Sequence, residues 1–362
     1  MYYYQIADVI LKSEYRLFSF AAFECKESKF DIMLERTSEI APPGIDRVAG
    51  SIVYRNLQDG WFFHSTETER VGIYINRDYT QLKALGITSG TIEGMEEWFV
   101  RIAIECQMVR RGFLSLHAAA VEVNGEAFAF SGPSGMGKST RANAWIKELN
   151  AKMINGDRPL IDIQHNELYG VPWDGKEKCY RRVHYPLKAI CEIRRSQTVY
   201  LRSMSFSQRR KLLLRQCFIP MWDTETSVIQ MANIARLAAE TEIVRAFCGP
   251  SENDARLLFS ALQNHKQLKE ENDIRIKQGF VLKRVMNGHI LTPKSDNTGM
   301  LTGSILLNDI AAFVCRKLEN PISKYDLLQA ILDEFETEEA VALTDLEMLL
   351  TSFKEYGVLE DD

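Results

Sequence analysis

Through the first 92 residues apolar and polar positions alternate in short runs, YYYQIADVIL, YRLFSFAAF, FDIML, GSIVYRN, GWFFHST and RVGIYIN, separated by turn-forming or charged clusters. A period of two sends successive side chains to opposite faces of a strand, so this region is expected to form an antiparallel, β-rich layer. The period then lengthens. In GMEEWFVRIAIECQMVRRG (94–112) the apolar positions Met95, Trp98, Phe99, Ile102, Ile104 and Met108 predict one amphipathic helix that Gly112 ends. VEVNGEAFAFS (121–131) reads as two strands turning at Asn124-Gly125, the dipeptide that most favours a tight hairpin. TRANAWIKELNA (140–151) returns to helical spacing through Ala142, Trp145, Ile146 and Leu149.

Further strands and helices extend to about residue 265, and the polar stretch HKQLKEENDIRIKQ (265–278) suits a linker or an exposed helix. FVLKRVMNGHILTPKSDNTGMLTG then predicts short strands with turns at Asn287-Gly288 and Asn297 to Gly299. Three segments with apolar residues at three- and four-residue intervals follow, 305–320, 322–335 and 344–359, so a small hairpin with three helices is expected there, a winged-helix arrangement. The expected organisation is an N-terminal β-rich region (1–92), an α/β core (93–265) and a C-terminal winged helix (279–362). There is no internal repeat and no low-complexity tract.

Composition narrows the class. The 362 residues are 46% hydrophobic and 26% charged, ordinary for a soluble globular protein with a substantial core. No run reaches the length of a membrane span and the first residues lack the sections of a secretion signal, so a cytoplasmic protein without a membrane partner is expected. Seven widely spaced cysteines with no C-x-x-C pair argue against a disulfide framework or a zinc site. The net charge of −5 is unevenly spread. Residues 278–362 hold 7 Lys and Arg against 15 Asp and Glu, which disfavours nucleic acid as the partner of the winged helix. Residues 174–216 hold 12 against 3. Arg181, Arg182, Arg209, Arg210 and Lys211 there suit an acidic peptide or a polyphosphate, complement the acidic C-terminal region, or form a solvated basic face.

The chemistry concentrates in GPSGMGKS (132–139), a G-x-x-x-x-G-K-[S/T] loop placed between an apolar strand and a helix. Glycines at 132, 135 and 137 let the backbone turn tightly and bring its N–H groups to an anion. Gly132, Pro133, Ser134, Gly135, Met136, Gly137, Lys138, Ser139 and Thr140 are therefore the candidate nucleotide-binding residues. Lys138 would reach the terminal phosphates, and the Ser139 hydroxyl would meet a magnesium ion. Phosphoryl transfer also needs a group to take the proton of the attacking hydroxyl. Asp157, after the apolar pair Met153-Ile154, would lie at the carboxyl edge of the sheet beside the loop; the competing role is a turn cap before Pro159. Arg158 and Lys176 are candidates to neutralise charge on the transferred group, or are solvated surface cations. Trp173 and Tyr180 would line the site or fill the core.

Two resemblances build on these residues. LHAAAVEVNGEAFAFSGPSGMGKST (116–140), MINGDRPLI (153–161) and VPWDGKEKCYRRVHYPLKAICEI (171–193) together resemble the HPr kinase family and the precursor-peptide serine kinases of lasso-peptide clusters. That resemblance implies a P-loop, HPr kinase-like core using ATP and magnesium, with His117 orienting or charge-supporting a catalytic Asp157 and with Lys138 in the catalytic set. HPr kinases carry an acidic pair where this chain has Gly156 and Asp157. Base and metal duties would then fall to Asp157, with Ser139 on the metal, or be shared with another acid such as Asp174. HPr kinases form hexamers, which leaves self-association open for this chain.

The C-terminal segment resembles PqqD-like recognition domains of ribosomal-peptide modification systems through Leu307, Asn308, Ala311 and Val314 and the ending FKEYGVLE. In those systems the domain holds the leader of a precursor peptide as an added strand. The two resemblances together imply a phosphotransferase acting on a serine hydroxyl of a ribosomally made peptide. A small-molecule kinase or phosphoenolpyruvate carboxykinase-like activity on the same core, a nucleotide-gated peptide-binding module and a DNA-reading regulator are the alternative classes.

Overall fold

The computed structural model describes all residues except 27–28, 40, 50–51, 65–70, 87–92, 174–177, 180, 197, 265–273, 286–287, 294–303, 323 and 361–362. The chain packs as two units, Met1–Lys269 and Glu270–Asp362.

In the first unit, eight strands form one sheet in the order Tyr2–Ile6, Val9–Ser13, Ile32–Thr37, Gln81–Leu85, Gly72–Asn76, Gly60–His64, Ile52–Asn56 and Asp46–Ala49. The sheet is mixed rather than antiparallel, because Ile32–Thr37 runs parallel to both of its neighbours. Tight turns join only antiparallel strands. Here the longer segment after Ser13, which buries Leu17, Phe20 and Phe23, carries the chain back before the next strand begins.

Alternation does fix the faces: Trp61, Phe63, Ile73, Ile75 and Leu82 share one hydrophobic cluster with Phe99, Ile102, Ile104 and Met108 of the helix Glu93–Arg110. Trp173, Phe218 and Trp222 from beyond residue 113 belong to the same cluster, so the sheet is built into the unit that holds the loop. A buried polar junction adds to this join. Asp223 Oδ2 accepts from Tyr79 Oη at 2.8 Å, Thr226 Oγ1 at 2.5 Å and Arg110 Nη2 at 3.3 Å.

A second sheet runs Lys152–Asn155, Ala118–Val123, Glu126–Ser131, His184–Arg195, Ile243–Cys248 and Tyr200–Ser203. The strand His184–Arg195 also pairs at its start with Glu167–Tyr169, which continues to Leu160–Asp162 and Phe113–Ser115. Glu126–Ser131, His184–Arg195 and Ile243–Cys248 are mutually parallel. Period-two alternation divides their side chains. Ala127 and Ala129 join Leu212, Leu213, Ile234 and Leu237 of the helices Phe206–Gln216 and Thr224–Glu240 on one face. Phe128 and Phe130 join Trp145 and Leu258 of the helices Lys138–Leu149 and Glu252–Asn264 on the other. The result is a three-layer α/β core.

The second unit has an antiparallel sheet of Phe280–Val285, Gly288–Pro293 and Ile305–Leu307, then helices Asp309–Lys317, Lys324–Glu334 and Glu339–Glu355. Residues 305–307, expected to open a helix, form an edge strand instead. Asn308 explains the switch: its side chain accepts from Ala311 N at 2.8 Å and caps a helix that starts at Asp309. The last helix starts at Glu339, earlier than the expected 344. Asn287 and the expected Asn297–Gly299 turn lie outside the described residues, as does 265–273 of the polar stretch.

Candidate functional site

Strand direction decides what meets at the loop. Glu126–Ser131 ends at Gly132, the antiparallel strand Ala118–Val123 begins opposite that end with Ala118 paired to Ser131, and Lys152–Asn155 ends beside Ala120. His117 and the Asn155–Asp157 turn therefore sit at the same edge as the loop, which is also the carboxyl edge of the three parallel strands. Ligands of open α/β sheets gather at such edges.

Asn124 and Gly125 take φ of +53° and +83°, both left-handed, as a tight two-residue hairpin turn requires. Gly135 and Gly137 take φ of +79° and +87°. At Gly137 a Cβ would also lie 2.2 Å from Arg141 Nη1 and displace that side chain, and the left-handed conformation itself favours glycine there. Three cations bind the loop backbone. Lys138 Nζ donates to Gly132 O at 3.1 Å and Pro133 O at 3.3 Å, Arg141 Nη1 to Met136 O at 3.1 Å, and Arg195 Nη2 to Gly135 O at 2.9 Å. Arg141 Nη2 also donates to Cys248 O at 2.8 Å, which ties the loop to the end of a neighbouring parallel strand. Ser139 and Thr140 stand in the first turn of the helix, which has no acidic residue, so its positive end is uncompensated.

Beside the loop, His117 Nε2 lies 3.5 Å from Asp157 Oδ1. Asn155, with no exposed surface, organises this pair. Its Oδ1 accepts from Asp157 N at 3.0 Å and Arg158 N at 2.8 Å, and its Nδ2 donates to Trp173 O at 2.9 Å. This is a side-chain turn that mimics backbone pairing and fixes where Asp157 projects. Asp157 O in turn accepts from Ala118 N at 2.8 Å, and Trp173 Nε1 donates to Arg158 O at 3.3 Å. On its other side His117 is held by Gln216, whose backbone O accepts from His117 N at 2.8 Å.

The electrostatics are those of a cationic cluster with one carboxylate. Burial, then the neighbouring Lys138 charge, pushes the His117 pKa below its ordinary value, against the pull of Asp157. Burial also lowers Lys138, with Asp157 opposing and Arg158 reinforcing the shift. The structure thus brings together His117, Lys138, Asp157 and Arg158. Lys176, Asp174 and Tyr180 lie outside the described residues. Trp173 is buried in the core cluster and also braces the turn. The basic stretch does not form one groove: Arg181 donates to Met153 O at 2.8 Å, Arg182 to Gln5 Oε1, and Arg210 and Lys211 face solvent on the helix Phe206–Gln216. All seven cysteines are free, and no cluster of three metal-ligating side chains occurs among the described residues.

Asn155, Arg141, Arg195 and Gln216 escaped sequence reasoning. Asn two residues before Asp and four before Pro is a side-chain turn signal that was open to reading. Arg195 carries no local signal, because its carbonyl partner is 60 residues away, and the same holds for the bond from Arg141 to Cys248 O, 107 residues away.

A phosphate chain with magnesium suits this donor set. The loop offers backbone N–H groups, Lys138 and Arg158 supply positive charge, and one hydroxyl with one carboxylate suits an ion that keeps most of its waters. Ser139 and Asp157 are the residues that would hold the metal.

Residues 291–359 match the family model of coenzyme PQQ synthesis protein D (PqqD). Two solved structures are similar over a quarter of the chain. Lasso peptide synthetase B1 complexed with the leader peptide shares 26% identity, covering 25% of this chain and 99% of that one at a TM-score of 0.21. TbiB1 in complex with the TbiA(beta) leader peptide shares 17% identity, covering 24% and 96% at a TM-score of 0.21. No curated protein matches the chain.

Proposed function

We propose that the protein is an ATP-dependent phosphotransferase with an HPr kinase-like core that phosphorylates a serine hydroxyl of a precursor peptide, whose leader is held by the PqqD domain. The observation that carries this reading is the meeting of a glycine-rich phosphate loop with the His117–Asp157 pair at one sheet edge. Phosphoryl transfer asks mainly for positioning and charge neutralisation. Asp157 takes the proton of the serine hydroxyl as its oxygen bonds to the γ-phosphorus and the bond to the β–γ bridging oxygen breaks. His117, neutral at pH 7 by its lowered pKa, orients that carboxylate without cancelling its charge. Lys138 and Arg158 oppose the negative charge on the transferred group. Magnesium held by Ser139 and Asp157 would neutralise phosphate oxygens.

The PqqD match supports delivery of the acceptor by its leader. The strand Ile305–Leu307, at the edge of its sheet among the described residues and with Leu306 largely exposed, offers the backbone that a recognised peptide strand needs. Tethering an acceptor this way raises its local concentration to roughly millimolar. The test is intact-mass measurement of a candidate precursor peptide after incubation with ATP and magnesium. An added phosphate that requires both the leader and Asp157 supports the reading; nucleotide binding with no phosphate on any peptide rejects it in favour of a nucleotide-gated binding module.

A further inference from the structure

The helix Phe206–Gln216 ends where the candidate chemistry begins. Gln216 binds His117 through its backbone carbonyl, and Cys217 bridges to Leu116. Its start is fixed as firmly, by a capping box between Ser205 and Gln208, and Leu212 and Leu213 anchor one face in the core. The opposite face is open. Phe206 and Leu214 are 44% and 37% exposed, and Arg210 between them lies over the Phe206 ring at 5.7 Å. Lys211 and Arg215, also exposed, form a parallel row one residue on. Among the described residues none of these three cations has a carboxylate partner. One helix face therefore combines exposed apolar surface with three uncompensated positive charges on the helix whose last residue holds the His117 backbone.

We infer that this face seats the acceptor segment of the peptide, and that the segment is acidic with an interspersed apolar side chain. The inference rests on the transfer reading above and names the substrate class it would act on. Charge complementarity selects the occupant: three cations favour a chain of Asp or Glu, and the Phe206 and Leu214 surface favours an apolar side chain between them. The reach follows from geometry. Eleven helical residues span about 16 Å, which an extended peptide covers with about five residues, so the acidic positions fall within about five residues of the modified serine.

The probe is a pair of fluorescein-labelled synthetic decapeptides, one with a serine followed by glutamates and a leucine, the other with glutamine for each glutamate. Each is titrated against the full chain and against the double variant Arg210→Glu, Lys211→Glu, with thermal unfolding as the folding control. The glutamate peptide is expected to bind about tenfold more tightly to the unmodified chain, as several exposed ion pairs allow, with the preference shrinking as salt rises. The double variant loses or inverts the preference at unchanged unfolding temperature. Equal binding of both peptides, or a preference that survives charge reversal, overturns the inference. So does a change in self-association of the double variant without a change in peptide preference, which would give the face to a second copy of the chain. A charge-dependent preference without any phosphate transferred would leave this surface standing and reject the transfer reading; transfer that ignores acidic residues would do the reverse.

Discussion

Asn155→Ala isolates the residue that holds the candidate base in place. Asn155 is fully buried and makes three hydrogen bonds of 2.8–3.0 Å, two from the backbone N–H groups of Asp157 and Arg158 and one to the carbonyl of Trp173. Truncation leaves three backbone groups without partners. Asp157 and Arg158 are partly exposed, so water recovers some of the loss, and about 1 kcal/mol per bond gives about 3 kcal/mol in all. In a unit this large that is a drop of about 5 °C in Tm. The turn would also relax, and a displacement of about 1 Å at Asp157 costs about a hundredfold in transfer rate while the loop keeps its nucleotide affinity. Asn155→Asp keeps the acceptor of the turn but sets a carboxylate oxygen against the Trp173 carbonyl, so it should recover more transfer than stability. Urea denaturation and single-turnover transfer read the two effects separately. An Asn155→Ala protein within about 0.5 kcal/mol of the unmodified chain, or with undiminished transfer, would refute the reasoning.

Three other outcomes follow from the same geometry. Gly137→Ala puts a Cβ on a residue at φ +87° and 2.2 Å from Arg141 Nη1, so affinity for a non-hydrolysable ATP analogue should fall at least about tenfold by calorimetry; unchanged affinity would contradict the loop assignment. Asp223→Ala strips the acceptor from Tyr79, Thr226 and Arg110 at the join between the eight-stranded sheet and the core, and should cost about 3–5 kcal/mol in denaturant unfolding. His117, with a folded pKa below its ordinary 6.5, contributes stability present in full above pH 6.5 and lost as pH falls from there through the folded value, because the unfolded chain binds the proton first. His117→Gln should remove that part of the acid slope as pH falls below 6.5; an identical slope in both proteins would place the titration elsewhere.

What the sequence made legible was local. The hairpin at Asn124-Gly125, the glycine positions of the loop and the helix after it all follow from chemistry confined to a few neighbours. Asp157 was legible as a residue at a strand end, because Met153 and Ile154 mark the strand. Its nearness to His117 came only from the family resemblance and not from local pattern, since it depends on Lys152–Asn155 pairing antiparallel with Ala118–Val123 across the whole loop helix. The mixed N-terminal sheet escaped for a related reason: alternation sets which face a side chain takes, but carries no sign for parallel or antiparallel neighbours. At residue 305 an apolar run compatible with either period became a strand, decided by the Asn308 cap.

The claim that the loop, His117 and Asp157 form one phosphoryl-transfer site is tested most directly in Asp157→Asn, by measuring ATP affinity and single-turnover transfer to the precursor peptide on the same preparation. The account predicts nucleotide affinity within about threefold of the unmodified protein and transfer reduced by at least about a hundredfold. Transfer at the unmodified rate with nucleotide bound would contradict it.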